Sequence, residues 1–299
     1  MDKFKDKILK EWSESGFHYF QETIWSSSLQ QKELGRIRDF LTNNGINNVD
    51  VSIVIPETDD TTKLKWITYY DKSGQCCSTN RNINIPAQSN NLKLTFCYTN
   101  KQVSEEQKQQ VHQVTSALRL IFGVPIAREL LFTREFSNDE DLPISHSETG
   151  FASYFDSQGL NLFDEPPIQT AKIIDIPKEA ALLIDKALSL TFPPERFVLM
   201  WLAFEAIINS FQSNANNGKK REKFFKEELQ SELLNDEVYR LFRLRCDLFK
   251  EGKESTLKSL ESDCWSLYKI IQITILKNCI QRDAFINGLE KQLSPLENE

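Results

Sequence analysis

Apolar and polar residues alternate with two different periods along this chain, and the change of period divides it. Over residues 49–55, Val49, Val51, Ile53 and Ile55 alternate with Asp50, Ser52 and Val54, the repeat of a strand, and Pro56 ends it. Residues 66–70, 82–86 and 92–99 read as three more short strands, and Asp71-Lys72-Ser73-Gly74 as a turn with glycine where positive φ is needed. Together they predict an antiparallel meander of about four strands. Residues 1–44 read as helical, broken at Ser26-Ser27-Ser28 and closing at Gly45. Ser104 opens a further helix, with Gln107 in capping-box position, which runs through Val111, Val114, Leu118 and Ile121 to Gly123. A last strand covers 130–136.

The acidic stretch 137–150 carries no period, and Pro166-Pro167 marks a boundary between two domains, 1–165 and 166–299. Beyond it the helical period predominates. Helices are expected over 178–190, with Pro177 in its first turn, over 196–211, opened by Pro193-Pro194, and over 219–234, 236–250 and 257–281. The predicted fold class is therefore α+β: an N-terminal antiparallel-sheet domain with flanking helices, followed by an all-α bundle. No internal repeat and no phosphate-binding glycine motif interrupts the pattern.

Two charged residues break it. The helix 196–211 is apolar on every side, as a central buried helix would be, and within 197–208 its one polar residue is Glu205. Asn209 shares its face. A carboxylate in such surroundings must be paired or protonated, unless it reaches solvent at the helix end. In the helix 236–250, about 100° per residue puts Val238, Leu241, Phe242, Leu248 and Phe249 on one stripe, with Arg245 in its middle. Arg243, Asp247 and Lys250 lie roughly opposite. Spacing alone makes Arg245 the expected partner of Glu205, largely buried, in a bidentate pair.

The segments RFVLMWLAFEAIIN (196–209) and VYRLFRLRCDLFKEGK (238–253) resemble the two signature helices of the HEPN superfamily, particularly its ApeA-like branch. The preceding strands and SALRLIFG (116–123) are loosely similar to the β-rich domain that precedes such helices. The resemblance implies a HEPN-like helical bundle, an RNA-directed role in bacterial defence or stress, and a homodimer with Arg245 and Lys250 near its two-fold axis. Members with the intact motif, an Arg, a polar residue and a His about five positions on, are metal-independent endoribonucleases. Here Arg245 matches the Arg, Cys246 follows it, and Lys250 stands at the His position. Histidine exchanges a proton near neutral pH, whereas lysine stays charged and is a poor base. The expectation is a module that binds or dimerises with a degenerate motif. The alternatives are an active endoribonuclease using Arg245 and Lys250, with Asp247 and Glu205 beside them, and a non-enzymatic adaptor for a cognate partner protein. No metal or cofactor is expected.

Composition changes this picture little. A net charge of −7 argues against bulk electrostatic coating of nucleic acid, leaving only a local basic site. Lys219, Lys220 and Arg221, with Lys223 and Lys226 after them, are the candidate; Glu222, Glu227 and Glu228 dilute it, so a solvated helix face competes with phosphate contact. Arg243 and Lys253 are further candidate RNA contacts. His18, His112 and His146 have no ligand cluster around them and no expected catalytic role. The six cysteines lack CxxC spacing and read as free thiols of a cytoplasmic protein, with no signal peptide or membrane span.

Overall fold

The computed structural model describes residues 10–70, 73, 75–101, 104–137, 168–251, 257–277 and 279–294. Most of the turn at 71–74, most of 137–150 and the Pro166-Pro167 boundary fall outside them. The fold is α+β, an antiparallel sheet region followed by a helical half.

The strand that organises the N-terminal unit lies where a helix is expected. YFQETIWS (β1, Tyr19–Ser26) carries five aromatic or β-branched residues in eight, a composition that suits a sheet. Its Gln21 and Glu22 hide the two-residue repeat, because both are buried along with Phe20, Thr23 and Trp25. β1 is bonded antiparallel on both edges, to β5 (Asn91–Tyr98) and β6 (Leu130–Ser137). With β2 (Val49–Val54) beyond β5, the order is β2-β5-β1-β6, which is not a meander. β3 (Asp60–Tyr70) and β4 (Cys76–Ile85) pair separately as a two-stranded ribbon. Helix α1 (Leu34–Asn43) buries Leu34, Ile37, Phe40 and Leu41, and Arg38 anchors it by donating to the Val51 carbonyl at 2.6 Å.

The two compact units are not continuous in sequence. Helix α2 (Ser104–Phe122) contributes its first turns to the sheet unit, but His112–Gly123 belongs with the C-terminal helices. One carboxylate explains that membership. Asp185, on α3 (Lys178–Leu188), is fully enclosed, and its oxygens meet His112 Nδ1 at 2.8 Å, Ser116 Oγ at 2.9 Å and an Arg119 nitrogen at 2.6 Å. Burial alone would raise its pKa. The Arg119 charge and the bonds from His112 and Ser116 outweigh that and hold it below the ordinary value. From α7 (Leu257–Ile275), Tyr268 Oη donates to the Arg119 carbonyl at 2.7 Å and Gln272 to that of Leu120 at 2.5 Å.

Around this network α4 (Pro193–Ser210) is the central helix, burying Phe197, Met200, Trp201, Ala203, Phe204, Ile207 and Ile208. It is not covered all round, since Leu202 and Asn209 are exposed and Glu205 is half-buried. The helix expected over 219–234 is broken. α5 (Asn217–Glu222) continues as a π-helical turn, Lys223–Glu228, and the chain reverses at Gln230, whose φ is 55°. α6 (Glu232–Glu251) follows, and α8 (Ile280–Leu293) extends the helical region beyond the expected end. Arg196 clamps α4 to Glu261 of α7 at 2.8 Å, and Arg240 ties α6 to Asp263 of α7 at 2.6 Å. No helix among the described residues is long and apolar enough to cross a membrane.

Asp185→Ala strips Arg119 of its counter-charge inside the core and should cost about 3–5 kcal/mol, measured by urea unfolding. Because the folded pKa of Asp185 is lowered, its contribution is complete above the ordinary value of 3.8 and is lost as pH falls towards the folded value. Wild-type stability should therefore fall steeply below about pH 4, and Asp185→Asn should flatten that slope.

Candidate functional site

Lys220, one of the candidate RNA contacts, is buried. Its ammonium donates to the Asn209 and Phe211 carbonyls, both at 2.9 Å, and so caps the C-terminal end of α4. That contact fixes α5 beside α4 and turns the next residue inward. Arg221 donates to Glu205 and lies over the Trp201 and Phe242 rings, 5.5 Å and 5.0 Å from their centroids. Asn217 donates to the other Glu205 oxygen. Glu205 is thus paired, as the apolar helix requires, but with Arg221 rather than Arg245. Arg221 is nearer in sequence and rests its flat guanidinium against two adjoining aromatic rings. Burial lowers the Arg221 pKa, Glu205 opposes that shift, and the neighbouring charge of Arg245 adds to it.

The result is a groove of about 860 Å³ between α4, α5 and α6, with Leu202, Glu205, Arg221, Tyr239, Phe242 and Arg245 in its walls. Arg245 is half-buried, not enclosed, and makes no ion pair among the described residues. Its Nε is buried with no hydrogen-bond partner, its guanidinium lies 4.8 Å from the Phe249 ring centroid, and one terminal nitrogen is 3.9 Å from Cys246 Sγ. Two guanidiniums therefore share the groove, one neutralised by Glu205 and one not. Glu222 and Asp236 also line the groove, so its charge is mixed.

The other candidates scatter. Lys219 is exposed, and the exposed Lys226 pairs with Glu232 at 3.0 Å, so the basic cluster is not a continuous surface. Asp247 is exposed and is not part of the groove wall. Arg243 is exposed and stacks on Tyr239. Of Lys250 the structure describes only the backbone, within α6. Five residues of helix separate it from Arg245 by about 140°, so the two positions occupy different faces. Lys253 lies outside the described residues.

Tyr239 and Phe242 are groove residues that the sequence reading left unassigned as site residues; their spacing, three apart on the helix that carries Arg245, was the available signal. Among the histidines, His18 is exposed, His146 lies outside the described residues, and His112 is locked onto Asp185. The Ser116–His112–Asp185 group is not a nucleophile site. Both Ser116 and His112 bond the carboxylate, and Arg119 neutralises it. Cys97, Cys246, Cys264 and Cys279 are free thiols. No three His, Cys, Asp or Glu side chains among the described residues group to hold a metal ion. Comparison with family models, curated proteins and solved structures finds no match to this chain.

The pairing makes opposite demands on the two arginines. Glu205→Ala and Arg221→Ala should each destabilise the fold by about 3 kcal/mol, and the double variant by little more, a coupling that a double-mutant cycle of thermal melts would read. Arg245→Ala should change stability by less than about 1 kcal/mol, because no carboxylate is left behind.

Proposed function

We propose that the C-terminal unit is a HEPN-like, RNA-directed binding module acting in the cytoplasm as a homodimer, whose groove holds a backbone phosphate on Arg245 without cleaving it. The observation that carries this reading is the state of Arg245: a guanidinium in a groove wall, with a buried Nε lacking a hydrogen-bond partner and no ion pair among the described residues. A planar cation so placed suits bidentate bonding to a phosphate. Cleavage would also need a group to move the proton of the attacking hydroxyl. Of the groove's carboxylates, Glu205 is committed to Arg221 and Asn217, and Lys250, which stands where the motif has its His, is a poor base. The role in bacterial defence or stress rests on the resemblance of 196–209 and 238–253 to HEPN signature helices.

The test uses labelled RNA in a metal chelator, with binding read by fluorescence anisotropy and integrity by gel. Wild type should bind with an affinity that falls as salt rises, and the RNA should stay intact. Arg245→Gln should weaken binding about tenfold or more and reduce the salt slope by about one phosphate contact, with an unchanged melting temperature. Metal-independent cleavage abolished by Arg245→Gln would replace this reading with the endoribonuclease. Absence of any RNA binding would leave the adaptor for a cognate protein.

A further inference from the structure

Tyr239 and Arg243 stand one turn apart on α6 and touch each other rather than the core. The Arg243 guanidinium lies 4.5 Å from the Tyr239 ring centroid and donates to its hydroxyl at 3.0 Å. Tyr239 is 54% exposed, a large aromatic surface to leave in water. It forms part of the groove wall, whereas Arg243 is not among the lining residues. The cation thus holds the side chain in place, while more than half of its surface remains open to water beside the groove.

We infer that Tyr239, backed by Arg243, is a stacking platform for one unpaired nucleobase whose neighbouring phosphate is held by Arg245, making the ligand class single-stranded RNA. The inference rests on the phosphate-binding reading of the groove and adds to it the part of the ligand that carries no charge. Three features favour it. An aromatic face stacks any base without needing a hydrogen-bond code, and the groove that Tyr239 lines also offers the apolar Leu202, Val238 and Phe242. A ring already held by Arg243 loses little rotamer freedom on binding. Six residues of helix separate Tyr239 from Arg245 by about 9 Å along the axis, a spacing that suits a base and a phosphate of neighbouring nucleotides.

Charge sets the polarity of the strand across the groove. Asp236 lies one turn before Tyr239 and lines the same groove, as does Glu222, and both repel backbone phosphates. The backbone is therefore directed to the Arg245 end and the base to the Tyr239 end. A duplex fails on the same geometry, since its bases are stacked on each other and offer no free face.

The test couples the ring to the base. Affinities of the full-length protein are measured for a short unstructured RNA, for the same length of abasic ribose-phosphate chain, and for the RNA annealed to its complement. Wild type should bind the unstructured RNA about tenfold or more tightly than either other probe. Tyr239→Leu should lose that advantage while leaving abasic binding unchanged, and Tyr239→Phe should retain it. Because Tyr239 is more than half exposed, both variants should melt with wild type. The platform is overturned if Tyr239→Leu weakens the abasic and base-bearing probes equally, or if the duplex binds as well as the single strand. Phosphate binding at Arg245 survives either result as long as Arg245→Gln weakens all probes. If no probe binds, the reading of the groove fails along with the platform.

Discussion

A carboxylate cannot be left alone inside a helical bundle, and that constraint accounts for how the C-terminal unit is put together. Asp185 and Glu205 sit on adjacent helices, α3 and α4, and each is satisfied from a different segment: Asp185 by three donors of α2, Glu205 by Arg221 and Asn217 of α5. Removing either carboxylate would break a buried ion pair from one side, so the order in the two recruited segments is as obligatory as the charges themselves. Hydrophobic burial supplies most of the driving force here, in Phe197, Trp201, Phe204 and their neighbours, but it is indifferent to which helix lies where. The ion pairs set the arrangement.

The same constraint separates two arginines that look alike in sequence. Arg221 is consumed by the fold, whereas Arg245 lies against Phe249 in the groove wall and makes no ion pair among the described residues. Placing one cation beside another is costly unless something anionic visits, and the lowered pKa of Arg221 is partly a record of that cost. With Glu222 and Asp236 in the wall beside the unpaired Arg245, the groove selects for a ligand bearing one localised anionic group and an apolar body, not for a uniform polyanion.

The helical period exposed most of the C-terminal half in the sequence, including the odd position of Arg245 within an apolar stripe. What could not be read there was choice of partner. Spacing offered Arg245 to Glu205, and Arg221 took its place because of a lysine, Lys220, whose cap on α4 has no period and no motif. The strand β1 was hidden for a different reason. Alternation marks strands that are wet on one side, and Gln21 and Glu22 are buried within a sheet that flanks β1 on both edges. His112 and Asp185 were invisible as a pair because 73 residues separate them and neither breaks the pattern of its own helix. The break at Gln230, with its positive φ, carried no glycine to announce it.

The membership of His112–Gly123 has a consequence for how such a chain can evolve. Because the donors to Asp185 are encoded between β5 and β6, ahead of the last strand of the sheet, neither unit is a cassette that recombination could lift out intact. A fragment starting at Pro166 would carry Asp185 without Arg119, and a fragment ending there would carry Arg119 without its acid. The two halves are bound to a common inheritance, and change in one must be tolerated by the other through a helix that both of them own.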